Sequence, residues 1–577
     1  MRYSIQSFLL VLVLIAGCGR LPAQDVAIDG RFADWDAMPA LAGDPAHDAG
    51  PSGIDFTHLH VHDDALWLYL SFDTGIDVLL QDNNGIRLAI DTDDDASTGR
   101  TMHGIGAELV WDFAQRQGTV YLGNSVNVRH DDIRLIPAPS MTSSRFELAI
   151  RRGTVIGARP LFPVDRIRVA LSDSGGDRFP DGDGGVEYEF RFTGVQPVVE
   201  QLLRPIENGA IRLLSWNTLF NGPVDPARQP AYTRLLRAIR PDVLCLQECF
   251  DMSATDALDV VRSAIDAPAG HEWRAIKRDA GNILVTHLDV EHSWQVQAEY
   301  RASAFLLRTP DGEELLLINA HFRCCDADDH RQREADGLIR FLRDAKTSGG
   351  AVTVAEGTPI VLVGDLNLVG DHRQYETLVT GDIVNNVTYG PDAAPDWDGG
   401  AWTELPPRHP SSRFTYTWDD AGSSYAPATL DYMFYTASVL TVTQDLVVDP
   451  RQISPGQRLR LGINEHDATV ASDHLPRFAD IRWKRTSATE AAAPASWDIG
   501  DIYPNPAMRV LSLPVTGAPS GQLRLRLSDL LGRTVDLPAA SFSGDLLRQP
   551  LPALEPGLYL LAITDGLHRI LRPVLIR

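Results

Sequence analysis

Short segments between Ile211 and Ile481 end apolar runs in side chains that hold cations or handle protons. In order they read LLSWN (ending at Asn217), VLCLQE (Glu248), LLLINAH (His321) and IVLVGDLN (Asp365 and Asn367). After a longer gap come LDY (Asp431) and ASDH (Asp473, His474). The first four are strand-like in length and branching and stop at a polar residue. Buried strands that all release Asn, Glu, His or Asp at one end build a site at one rim of a sheet. Asn217, Glu248, Asp365, Asn367 and Asp473 present oxygen, the ligand Mg²⁺ takes. A zinc site calls for more closely clustered His or Cys. His321 and His474 stand at strand ends beside carboxylates, where an acid or base poised near neutral pH is useful. The inventory suits holding a hard cation against a phosphate.

Singly, each of these residues has an ordinary reading. Gly364-Asp365 is turn chemistry, Asn217 a core amide, and Asp473-His474 a cap. Their joint occurrence in this order points to chemistry.

The order WN, QE, NxH, GDLN, LDY, SDH resembles the endonuclease/exonuclease/phosphatase superfamily of DNase I-like, metal-dependent phosphoesterases, over roughly residues 210–484. The resemblance implies an α+β fold in which two packed β-sheets are flanked by helices. It also implies roles. Glu248 would be the principal metal ligand, Asp473 would complete the metal site, and Asn217 would bind phosphate or a metal-bound water. His321 would contact the phosphate or assist the leaving group. Asp365 would orient or deprotonate the attacking water, and Asn367 would stabilise the pentacovalent phosphate. Asp431 would fix the tautomer of His474. His474 would be a general base or a donor to a phosphate oxygen. The implied cofactor is Mg²⁺, with Mn²⁺ as an alternative.

The 577 residues exceed what one core accommodates and predict several domains. A hydrophobic content of 44% and a charged content of 22% are those of a globular chain. The net charge of −25 disfavours a dedicated nucleic-acid binder, whose affinity rests on Lys and Arg, without excluding a nuclease.

Arg2 and the apolar run Phe8–Ala16 read as a secretion signal, residues 1–23, too short to span a membrane. Ile15-Ala16-Gly17-Cys18 resembles a lipobox that would anchor Cys18, while Leu21-Pro22-Ala23 reads as an ordinary cleavage site. Residues 25–197 alternate in short strands with Gly and Asp turns, which predicts an antiparallel sandwich. IDGRFADW, LWLYLSFDT and AIDTDDDASTG in this segment are similar to family 9 carbohydrate-binding modules, which would make polysaccharide a partner. Asp91, Asp93 and Asp95 have a spacing suited to a structural Ca²⁺, or form a solvated acidic turn; the Asp173–Gly185 run is a second such turn. The catalytic segment is expected over residues 208–484.

TSATEAAAPAS opens a small-residue linker, residues 485–500. IYPNP, LSDLLGRTV and PGLYLLAIT follow, a series that resembles the sorting domain of the type IX secretion system over residues 501–577. That resemblance implies a small β-sandwich, export through the type IX machinery, and a secreted or outer-surface location.

Cys249 follows Glu248, and Cys324 and Cys325 follow His321, so a bridge from Cys249 to one of that pair is expected if the two strand ends share a site. Residues 328–346 have helical spacing with Leu338, Ile339, Phe341 and Leu342 as the apolar face. Arg323, Arg331 and Arg333 are read either as phosphate contacts or as surface ion pairs. Trp397, Trp402, Trp418 and Tyr425, in an insertion over residues 390–428, either line the cleft or anchor the loop.

The combined expectation is a secreted Mg²⁺-dependent phosphoric ester hydrolase acting on a phosphodiester. Alternatives are a phosphomonoesterase for sugar or inositol phosphates, and a surface glycan-binding protein. No obligate protein partner is evident from the sequence.

Overall fold

The computed structural model describes residues 26–484, apart from 192–197, 199 and 351, and most strands between residues 497 and 576. The expected signal segment, Cys18 and residues 485–496 of the expected linker lie outside the described residues. The chain divides into two compact units, one ending at Lys484 and one beginning at Arg485.

The central region of the larger unit, residues 208–484, is built on two six-stranded sheets. The first runs Arg274–Lys277, Ile283–Thr286, Val243–Gln247, Ala210–Asn217, Arg477–Trp483 and Leu440–Val447. The second runs Asp289–Gln295, Ala302–Arg308, Glu314–His321, Ile360–Asp365, Asp431–Tyr435 and Thr403–Glu404. Successive side chains of a strand face opposite ways. Leu213 and Cys245 therefore turn inward to meet Phe305, Leu317 and Val363 of the other sheet. Leu214, Leu244 and Leu246 turn outward against Leu235, Leu236 and Val260 of the helices Gln229–Ile239 and Ala254–Ala264. The second sheet is covered likewise by the helix Asp328–Ala345, through Leu338, Ile339 and Leu342. Strands buried on both faces read as unbroken apolar runs rather than alternating ones, which is why the motif strands stand out in the sequence.

The N-terminal region is an antiparallel sandwich of a five-stranded and a seven-stranded sheet around Leu70, Phe72, Leu88, Trp111 and Phe146. It does not close on itself. Val26, Ile28, Trp35, Tyr69 and Ile136 bury into the same apolar cluster as Trp216, Tyr232 and Phe414 of the central region. Burial of such side chains contributes about 2 kcal/mol apiece. Trp67 meets Phe414 edge-on with ring centroids 4.8 Å apart.

The expected acidic triplet is regrouped in this region. Asp91 and Asp93 gather with Glu108, not with Asp95, their ligand atoms within 4.8 Å of one another. Asp95 instead accepts from the Ser97 N–H at 3.0 Å and its hydroxyl at 2.7 Å, capping its own turn. Asp181, from the second acidic run, lies with Asp44 and Asp48.

The described strands of the C-terminal unit form two four-stranded sheets around Leu511, Leu513, Leu527, Leu561 and Val574.

Candidate active site

Strand register assembles the chemistry. Glu314–His321 and Ile360–Asp365 are parallel neighbours with His321 level with Asp365. Asp431–Tyr435 pairs antiparallel with the latter, setting Asp431 level with Asp365. In the other sheet Ala210–Asn217 and Val243–Gln247 are parallel, with Asn217 beside Gln247, so Glu248 leaves at the next position. Parallel strands end at the same rim, and here the rims of both sheets meet. Asn217 Nδ2 donates to Asp365 Oδ2 at 2.9 Å and to Glu248 Oε1 at 3.2 Å. Below it, Gln247 Nε2 donates to Asn319 Oδ1 at 2.8 Å, and both amides are fully buried. The Gln of QE and the Asn of NxH thus tie the sheets together beneath the site.

The backbone is strained where the site is sharpest. Glu248 (φ 57°) and Asn367 (φ 47°) hold the left-handed conformation that non-glycine residues avoid. A Cβ on Gly364 would stand 1.8 Å from the Ala320 carbonyl oxygen, so only glycine lets Asp365 approach the neighbouring strand.

Glu248, His321 and Asp365 each bring a ligand atom within 4.8 Å of the others. His321 Nε2 is 3.5 Å from Asp365 Oδ2 and 4.0 Å from Glu248 Oε1. Burial holds the His321 imidazole well below its usual pKa, with Arg301 and His474 acting in the same direction. Burial pushes the Asp365 carboxyl up to about 7; Asp431 and Glu248 repel its charge while His474 and the Asn217 amide favour it. Carboxylates crowded in this way fit a divalent cation, which would offset their repulsion. Glu248 and Asp365 supply hard oxygen ligands and neutral His321 a nitrogen.

His474 lies between two acids. Its Nδ1 is 2.8 Å from Asp431 Oδ2 and its Nε2 is 3.7 Å from Asp365 Oδ2. Burial alone would lower its pKa, but Asp431 and Asp365 overcome this and push it up to about 10. Asp473 stands outside the cluster of Glu248, His321 and Asp365; its Oδ2 accepts from Trp418 Nε1 at 2.9 Å. Asn367 donates its side-chain N–H to the Phe322 carbonyl at 3.2 Å, and its backbone N–H to Asp365 Oδ1 at 3.1 Å.

Glu248, His321, Asp365, Asn367, Asp473 and His474 line a cleft of about 650 Å³. Trp418 and Tyr425 line it too, whereas Trp397 donates to the Thr358 carbonyl at 2.6 Å and Trp402 is buried against Phe434. The insertion therefore serves both purposes, divided among its aromatic residues.

Arg331 borders the cleft, but its side chain is 1% exposed and held by its own neighbours. It donates to Gln374 Oε1, Asp328 Oδ1 and the carbonyls of Arg323 and Cys325. These bonds occupy four of its five N–H hydrogens and prop the loop after His321. Arg323 is not among the cleft residues; its backbone N–H donates to Glu334 Oε2.

The expected Cys249 bridge is not formed, and Cys245, Cys249, Cys324 and Cys325 are free thiols. Glu248 and His321 are neighbours, yet the next side chain along turns the opposite way. Cys249 is fully buried, with Sγ 3.7 Å from Thr218 Oγ1, while Cys324 faces Cys325 at the exposed mouth.

Phe220, Phe250 and Arg301 also line the cleft. Phe250 lies two residues past Glu248, which offered a signal. Arg301 carried none, reaching the site only through strand pairing; its Nε is 3.4 Å from the His321 carbonyl.

Residues 214–474 match the Endonuclease/Exonuclease/phosphatase family, and residues 501–577 match a secretion system C-terminal sorting domain. The first match takes in Asn217, Glu248, His321, Asp365, Asp431 and His474. Similar solved structures include the human Nocturnin catalytic domain with bound sulfate, at 16% identity and TM-score 0.30, covering 48% of this chain and 96% of that one. ANGEL2, a 2′,3′-cyclic phosphatase, is 15% identical with TM-score 0.31, covering 47% and 95%. An endonuclease/exonuclease/phosphatase from Beutenbergia cavernae is 15% identical with TM-score 0.30, covering 64% and 100%. Likeness of this degree carries no inference about what this chain acts on. No curated protein sequence matches it.

Proposed function

We propose that this protein is a secreted, divalent-metal-dependent phosphodiesterase that hydrolyses its substrate by direct attack of water. The observation that carries the reading is the meeting of Glu248, His321 and Asp365 with the His474–Asp431 pair in one cleft of a domain that matches a phosphoesterase family.

Glu248, Asp365 and His321 would hold Mg²⁺ or Mn²⁺, with Asn217 hydrogen-bonded across the two carboxylates. When bound, the cation would offset charge developing on the phosphoryl oxygens. His474, held cationic by Asp431, donates a hydrogen bond to a phosphate oxygen through Nε2. Asp365 is placed to take the proton of the attacking water. The water oxygen bonds to phosphorus as the ester P–O bond breaks; the leaving alkoxide takes a proton from solvent, and Asp365 then returns the proton it took from the attacking water to solvent. A diester carries one negative charge where a monoester carries up to two. Arg331 is buried and holds its own loop, so Arg301 and His474 are the cations that face the many carboxylates of the cleft, which favours the diester. The sorting-domain match supports delivery by the type IX machinery to the outer surface or beyond.

The test is turnover of bis-p-nitrophenyl phosphate by the full chain. Activity is expected with Mg²⁺ or Mn²⁺, lost on chelation and restored by either ion. Glu248→Gln should weaken Mn²⁺ binding, read by electron paramagnetic resonance. Full turnover after rigorous chelation would end this reading.

A further inference from the structure

We propose that the N-terminal sandwich is a working part of the catalytic cleft, selecting a compact phosphoester that bears an apolar or aromatic group and shutting out duplex nucleic acid. The inference rests on the phosphodiesterase reading and names the substrate class of that site.

Leu79, Gln81, Asp82, Pro137 and Ser140 of the sandwich share the cleft with Glu248, His321, Asp365 and His474. The same domain grips the loop that carries Trp418. Gln81 Oε1 accepts the Ala426 N–H at 2.9 Å, and the Gln81 carbonyl accepts from Arg116 at 2.8 Å. The Arg116 guanidinium lies 4.3 Å from the Tyr425 ring centre, a cation–π contact. His130 Nε2 is 3.1 Å from the Ser423 carbonyl, and Arg134 pairs with buried Asp419 at 3.3 Å. Asp419 then donates its backbone N–H to the Asp473 carbonyl at 3.0 Å, beside the Trp418–Asp473 bond. On the other flank Ser140 Oγ bonds the carbonyls of Leu368 and Thr429, close to Asn367 and Asp431. The sandwich therefore fixes both the wall and the loop that shape the cleft.

What the wall admits follows from size and charge. A cleft of about 650 Å³ is the size that takes a drug-sized molecule. Phe220, 66% exposed, presents an apolar ring beside Glu248, to whose Oε2 it donates its backbone N–H at 3.0 Å. Phe250 stands next to it, ring centroids 5.8 Å apart, and Leu79 and Tyr425 extend the apolar lining. A nucleic-acid track needs Lys and Arg to meet successive phosphates. Here Asp82, Asp326 and Asp328 border the cleft, and Arg331 is buried with its guanidinium bonded to Gln374, Asp328 and the loop carbonyls. One phosphate finds partners; a polyanion's flanking phosphates meet carboxylates.

The experiment gives the full chain, with Mg²⁺, either bis-p-nitrophenyl phosphate or duplex DNA. The wild-type protein is expected to hydrolyse the aryl diester and leave the duplex intact. Leu79→Trp should lower kcat/KM for the aryl diester about tenfold, mostly through KM, the scale of a changed contact in an apolar pocket. Leu79→Met should retain wild-type kinetics. Leu79→Asp, which adds charge without bulk, should raise KM for the anionic substrate and covers the case in which Leu79→Trp does not fold. Duplex cleavage as efficient as aryl-diester hydrolysis would overturn the selection while leaving the phosphodiesterase reading intact. Unchanged KM in folded Leu79→Trp or Leu79→Asp protein would remove the sandwich from the site. Hydrolysis of neither substrate would defeat the phosphodiesterase reading, and this inference with it.

Discussion

His474 shows how placement bears on the chemistry of a single residue. Beside one carboxylate an imidazole is oriented; between Asp431 and Asp365 it is also held charged. A charged ring donates rather than accepts, which is why the proposed mechanism uses His474 as a phosphate contact. His474→Ala is expected to lower turnover at least ~10²-fold, the usual scale for such groups. Asp431→Ala should cost less, and His474 should then titrate at lower pH, read from its ring proton shifts by nuclear magnetic resonance. If both turnover and titration survive Asp431→Ala unchanged, the pairing has no functional meaning. The cysteines carry the complementary lesson. Adjacency to Glu248 puts Cys249 near the site in the chain, but the alternation of side chains sends its thiol into the core, where burial pushes it up to about 12.

At the scale of elements, the helix Asp328–Ala345 does more than cover its sheet. Its first turns hold the loop after His321, through Arg331 and through Glu334, which is 6% exposed. Burial pushes the Glu334 carboxyl up to about 7, against the pull of the Arg323 N–H and nearby arginines. The unfolded chain releases this proton near pH 4.3, the folded chain only near 7. The folded state thus binds the extra proton between those values. Its contribution to stability is full below the unfolded pKa and is lost as pH rises through the folded one. Glu334→Gln keeps an acceptor for the Arg323 N–H and cannot ionise. Its melting temperature should fall less than that of the wild type between about pH 5 and pH 8. Parallel melting curves for the two proteins across that range would show that Glu334 is ionised in the fold throughout.

At the scale of the whole molecule, catalysis and delivery are assigned to different units. The site lies wholly within the larger unit, and residues 501–577 match the sorting domain. A chain ending at Lys484 is expected to keep aryl-diester turnover when purified, and to stay inside the cell envelope when expressed in the native host. Cell fractionation and activity measurement check the two halves separately. Undiminished surface delivery of the shortened chain would deny residues 501–577 a sorting role.

Which residues end the strands of the central domain was readable from the sequence. Runs such as VLCLQE and IVLVGDLN are apolar because both faces of their strands are buried, and they stop where the chain meets the rim. That information is local, so Asn217, Glu248, His321, Asp365 and His474 were legible without coordinates. So was the helix after His321, through its apolar spacing. Only the tertiary structure decided which ends meet. It put His321 rather than Asp473 beside Glu248 and Asp365, spent Arg331 on its own loop, and turned Cys249 away from Cys324. It also brought Arg301 and the distant Leu79–Asp82 segment into the cleft. These outcomes depend on register, on which way a side chain faces, and on the packing of one sandwich against another. Each is set by contacts between residues far apart in the chain, and no local pattern encodes them.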